Sequence, residues 1–182
     1  MTQKQLTDRF CYRDVIEAVM QATSAEVQDS TARANLESDR TGGGITREDR
    51  LYYAAMANTR LRTGLRPELW EALVAKYAEC PMAKGKAISS IWPRLRPPPA
   101  DDEDRHFTKH AATAWAFPKP KRGRSLLPVS WYDVNLWDPD AHSETTRRRW
   151  IKSINQQLED LVSLGLIEAQ RILEGEGLLR AA

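Results

Sequence analysis

The chain has 182 residues, 27 Lys and Arg against 25 Asp and Glu, and a formal net charge of +2, which suits one elaborated domain or two small ones with a real core. Its two cysteines, Cys11 and Cys80, are far apart and form no CxxC pair, so neither a zinc ribbon nor a disulfide framework is indicated, and a reducing, cytoplasmic setting is expected. No apolar run approaches the roughly 20 residues that cross a bilayer, and the first ten residues, MTQKQLTDRF, are polar, so no signal peptide and no membrane partner are expected.

In chain order, residues 5 to 37 have few breakers and carry Val15, Ile16, Val19, Met20 and Val27, which predicts one or two helices. Gly42 to Gly44 interrupt them as a hinge; no strand precedes the glycines and no GK[ST] follows, so they make a poor phosphate loop. Thr46 with Asp49 resembles a capping box and starts a helix over 47 to 63, with Leu51, Ala54, Ala55, Asn58 and Leu61 at helical spacing and Gly64 ending it. Pro67 suits the first turn of the next helix, whose stripe is Leu69, Trp70, Leu73, Val74 and Tyr77, with Pro81 as its stop. Ala87, Ile88, Ile91 and Leu95 predict another helix that Pro93 kinks or ends. Two short helices over 68 to 79 and 84 to 95, joined by a tight turn, suggest a helix-turn-helix.

The triple proline of RPPPADDEDRH predicts an exposed loop. Helical spacing resumes at Phe107, Ala111, Ala114 and Trp115 and stops at Pro118; PKPKRGRS follows as an extended basic loop, then LLPVSWYDVNLWDPD as a short strand or irregular packed segment. Asp138 or Ser143 caps a long last helix whose stripe runs through Trp150, Ile151, Ile154, Leu158, Leu161 and Val162 to a stop at Gly165, after which EGEG could turn a β-hairpin. The expected fold is mainly α: an N-terminal helical segment with a hinge over 1–44, a helix-turn-helix-like core over 45–125, and a C-terminal helix with a wing-like hairpin over 126–182.

The small net charge conceals segregation. Asp101, Asp102, Glu103 and Asp104 form an acidic block; Lys119, Lys121, Arg122 and Arg124 form a basic one, and Arg147, Arg148, Arg149 and Lys152 a second. Phosphate backbones respond to local positive potential rather than to net charge. The second block sits where a helix's own field is already positive, so its arginines lose a few tenths of a kcal/mol unless something compensates them. Arg148, Lys152, Asn155 and Gln156 share one face by spacing and could contact phosphates and base edges. The helix over 107 to 117 follows the helix-turn-helix pair as a third helix should, with Lys109, His110 and Thr113 outward to approach bases and the basic loop gripping the adjacent backbone. An ordinary solvated surface is the competing reading of every charge run.

Six tryptophans, at 70, 92, 115, 131, 137 and 150, lie mostly on apolar stripes and read as core rather than as base-stacking platforms. His106 and His110 at i, i+4 beside the acidic block could ligate a metal and support a nuclease, but no second ligand pair accompanies them, so no metal and no cofactor is expected.

The phrases LYYAAMANTRLRTGLRPELWEALVAKYA, AATAWAFPKPKRG and LPVSWYDVNLWDPDAHSETTRRRW resemble the Q-type late-gene transcription antiterminators of lambdoid phages and their host-resident relatives that control programmed cell lysis, over roughly residues 45 to 155. The resemblance implies a mostly helical, non-enzymatic protein that binds double-stranded DNA beside a promoter, engages the paused bacterial RNA polymerase holoenzyme with its σ factor, and narrows the RNA exit channel, so that terminators upstream of late or lysis genes are passed. Nascent RNA is then a further contact, and the bound protein is nucleoid-associated. Some members of that group carry a cysteine zinc site, whose ligands this chain lacks. A winged-helix activator or repressor confined to its promoter is the alternative.

Overall fold

The computed structural model describes residues 12–31, 47–96, 105–120, 123, 125–138 and 140–179. Six α-helices account for most of them: α1 Val15–Thr31, α2 Arg47–Gly64, α3 Pro67–Tyr77, α4 Pro81–Ile91, α5 His106–Ala116 and α6 Glu144–Gly175. The protein is mainly α, and beyond an isolated parallel bridge between Tyr12 and Leu179 the described residues contain no strand. The hinge glycines, Thr46 and the acidic block fall outside the described residues.

The organising element is α6, 32 residues long and therefore about 48 Å from end to end. Ile154, Leu158, Val162, Gly165, Ala169 and Leu173 are its buried row, spaced three or four apart so that they form one stripe. That stripe receives α1, α2, α3 and α5. Of the two caps the sequence offers, Ser143 and not Asp138 starts the helix, its hydroxyl accepting from the Thr146 amide at 3.2 Å.

Its end differs from the sequence reading. Gly165 lies in mid-helix rather than at a terminus because α3 crosses there: a Cβ at Gly165 would meet Leu73 Cγ at 3.1 Å and the Leu69 carbonyl oxygen at 3.3 Å. The expected hairpin is absent, since residues 166 to 175 continue the helix. EGEG forms the helix's C-terminal cap instead. Gly177 adopts a left-handed φ of 68°, and the amides of Leu178 and Leu179 return to the Leu173 carbonyl at 2.9 and 3.2 Å. This turn buries Leu178 and Leu179 and brings the Leu178 carbonyl to the Tyr12 amide at 3.4 Å.

Two prolines start helices by the same device. Pro67 opens α3 and Pro81 opens α4, each within the first turn, where a missing N–H costs nothing. The sequence reads Pro81 only as a stop, yet it also begins the partner helix four residues beyond Tyr77. Pro93 falls in a 3-10 turn, Trp92–Arg94, that ends α4. The described residues of the 126–140 stretch contain no strand; they form two 3-10 turns, Val129–Tyr132 and Val134–Leu136. Asn58 joins α2 to α1 by donating to the Ala22 carbonyl at 2.8 Å.

A polar junction ties α3, α5 and α6 together. Glu159 accepts from Lys76 Nζ at 2.6 Å and from Trp115 Nε1 at 2.8 Å, while Lys76 also stands 4.8 Å from the Trp115 ring centroid. Burial alone would raise the Glu159 pKa, but the hydrogen bonds from Lys76 and Trp115 and the charge of Lys76 outweigh it and hold the carboxyl below its ordinary range. A lowered carboxyl pKa contributes stability that is present above the unfolded-state value and is lost as the pH falls through the folded one. Glu159→Gln is therefore expected to be less stable than wild type near neutrality and to lose less between about pH 6 and about pH 3. Urea midpoints at the two pH values check this, and equal acid sensitivity in the two proteins would contradict it.

Candidate nucleic-acid interface

An aromatic cluster positions the cationic elements. Phe107 of α5 meets Trp137 edge-on at 5.7 Å and Trp150 of α6 at 5.3 Å. His110 stacks on Trp131 at 4.5 Å, and His142 lies against Trp150 at 4.7 Å. Packed edge-to-face and stacked rings of this kind lock their parent elements together, so α5, the 129–137 turns and the first turns of α6 form one wall. Trp137 is buried, and Trp70, Trp92, Trp115 and Trp150 pack against the core, in keeping with the core reading of the tryptophans.

The three predicted positions on α5 divide. Lys109 is exposed. His110 is half-buried, its Nδ1 within 2.9 Å of the His106 carbonyl; burial is the main reason its pKa is lowered, leaving the ring neutral at pH 7. It serves as packing between α5 and Trp131 rather than as an outward base reader. Thr113 donates its hydroxyl to the Lys109 carbonyl at 2.7 Å, which commits its proton to its own helix. Of the basic loop, Lys119 is exposed, whereas Lys121, Arg122 and Arg124 lie outside the described residues.

The three consecutive arginines also divide. Arg147 points inward: its side chain is only 16% exposed and its Nε lies 3.8 Å from Asp138 Oδ2, while Nη1 donates to Asn135 Oδ1 at 2.7 Å. Asp138, itself buried, accepts in addition from the His142 amide and approaches His142 Nδ1 at 2.9 Å. Arg147 is thus compensated within the fold, and its expected role toward a polyanion is corrected to a structural one. Arg148 pairs with Glu144 one turn earlier at 2.6 Å, both largely exposed. Arg149 and Lys152 are exposed, with no hydrogen bond or ion pair among the described residues. Asn155 does not share their face; its Oδ1 is enclosed without a partner, because it falls on the α6 flank turned toward the bundle.

Sequence reasoning passed over Arg94 and Arg96, both exposed. Gln157 of α6 brackets Arg96, accepting from its amide at 2.8 Å and donating to its carbonyl at 3.2 Å. That clamp brings the segment after α4 beside α6, two turns beyond Arg149. The signal was the spacing of PRLRP, an arginine pair held by prolines ahead of the triple-proline loop. Arg105 is not available in the same way, because its guanidinium donates to the Pro93 carbonyl.

Asp138, Asp140 and His142 bring one ligand atom each within 4.8 Å of one another, but Asp138 is already engaged by His142 and Arg147. The acidic block beside His106 and His110, the pair weighed as metal ligands, lies outside the described residues. Among the described residues no helix is long and apolar enough to cross a membrane. No protein-family model, curated protein or solved structure matches the chain.

Proposed function

We propose that this chain is a non-enzymatic, DNA-binding transcription antitermination factor: it loads onto RNA polymerase holoenzyme paused near a promoter and suppresses downstream termination by narrowing the RNA exit channel. The observation that carries the DNA half of the reading is the pair Arg149 and Lys152, exposed and, among the described residues, unpaired near the start of α6. Cations there gain nothing from the helix dipole, and their neighbours Arg147 and Arg148 have taken the nearby acceptors. A phosphate backbone would supply the missing partner and bind through counterion release. Lys109, Lys119, Arg94 and Arg96 are further exposed cations, and the Gln157 clamp holds Arg96 beside α6. The polymerase half of the reading rests on the resemblance of the three aromatic-rich phrases to the Q-type antiterminators.

The test is a purified transcription reaction with bacterial RNA polymerase holoenzyme on a promoter whose footprint the protein extends. The protein is expected to raise readthrough of a terminator placed several hundred bases downstream, and Arg149→Ala with Lys152→Ala to remove most of that gain. Stimulated initiation with unchanged termination would replace this reading with a promoter-bound helix-turn-helix activator.

A further inference from the structure

The face of α6 directly opposite its buried stripe carries a row that the fold leaves uncovered. Asp160, Leu164, Ile167 and Arg171 are all exposed, and at 3.6 residues per turn they lie within about 60° of arc. Leu164 is 47% and Ile167 51% exposed. Their spacing of four, three and four is the heptad pattern by which one helix seats against another.

Among the described residues neither charge of this row is in an ion pair. Of the acidic residues within a turn of Arg171, Glu168 is paired with Arg66 at 3.5 Å, and Glu174 accepts from the neutral Gln170 at 2.7 Å. Arg171 has no ion pair or hydrogen bond among the described residues. Asp160 accepts from Gln156 at 2.8 Å, a neutral donor that leaves its charge uncompensated.

The row is also self-complementary. A two-fold axis midway between Leu164 and Ile167 sets Leu164 against Ile167 of the partner subunit, and the same rotation sets Asp160 against Arg171 of the partner subunit. Both charge pairs and both apolar pairs then form at once, as an isologous contact requires. A parallel arrangement would instead oppose like charges, which is unfavourable. We propose that this face of α6 is a self-association surface on which a second copy of the chain pairs antiparallel about that axis. With two large apolar side chains from each copy, the contact belongs to the small, weak class of interfaces. It would hold the two Arg149 and Lys152 ends about 45 Å apart, more than the roughly 34 Å of one DNA turn.

Analytical ultracentrifugation of the full chain without DNA tests this. The average mass is expected to rise with concentration from one chain toward two. Asp160→Arg and Arg171→Asp each replace two attractive pairs with two repulsive ones and should weaken association about tenfold; combined, they should restore it to within about threefold of wild type. Leu164→Asp should leave a monomer, and circular dichroism should show every variant folded, since all three positions face outward. A monomer at every concentration up to about 1 mM, a dimer indifferent to these changes, or single swaps that the double swap does not rescue would each overturn the proposal.

Discussion

Gly165→Leu is expected to lower the urea midpoint by about 1 M, a loss of about 2 kcal/mol. The new side chain would begin 3.1 Å from Leu73 Cγ and 3.3 Å from the Leu69 carbonyl oxygen, and the latter is backbone, so relief requires α3 to move as a unit. Overpacking of this kind costs about 1–3 kcal/mol and belongs at the upper end here; removing a mid-helix glycine returns about 1 kcal/mol. Gly85 supplies the contrast. It also lies within a helix, yet a Cβ there meets nothing within 4 Å, so Gly85→Ala should stabilise by about 0.5–1 kcal/mol. Opposite signs at the two glycines separate close helix approach from helix propensity, and a neutral Gly165→Leu would mean that α3 does not sit where it is placed.

Gly165 also shows why the sequence misled at that point. A glycine after an apolar stripe is read as a terminator because left-handed backbone favours glycine there, but Gly165 is absent from the positive-φ residues and Gly177 is among them. Nothing local distinguishes a glycine required by φ from one required by a neighbouring helix; the distinction depends on Leu69 and Leu73, nearly a hundred residues earlier. The helices themselves were legible. Pro67, Ser143 and the apolar stripes of α3, α5 and α6 act through nearest-neighbour physics, and a helix forms over each stripe, although α6 runs on past Gly165 to Gly175. The 126–140 stretch was less so, because aromatic and β-branched residues favour a strand only when a neighbouring strand pairs with it, and none does among the described residues.

The candidate interface was partly legible for a related reason. Composition identifies cations, whereas availability depends on what folds against them. Arg147, Arg148 and Arg149 are indistinguishable as sequence, yet Asp138 and Asn135 occupy the first, Glu144 the second, and only the third is left unpaired. His110 was placed outward by helical spacing, but Trp131 covers it from a turn that no periodicity announced. The placement of Arg96 depends on Gln157, 61 residues away, which no local pattern announces.

Neutralising the available cations should change the salt dependence of DNA binding in proportion to their number. Each phosphate contact contributes about 0.9 to the slope of log affinity against log salt concentration. Arg149→Ala with Lys152→Ala is expected to make that slope shallower by about 2 and to weaken binding near 0.1 M salt by about a hundredfold. Replacing Lys119, Lys121, Arg122 and Arg124 by alanine should make it shallower by about 3 to 4, with a loss of about a thousandfold or more. Arg147→Ala should behave differently, leaving the slope unchanged while costing stability, because it removes the arginine that accompanies His142 at the buried Asp138 carboxylate. Fluorescence anisotropy across a salt series on one duplex gives all three slopes, and denaturation of the same samples gives the stabilities. A pair variant that keeps the wild-type slope would detach the start of α6 from the nucleic acid, and an Arg147 variant that loses slope without losing stability would return that residue to the interface.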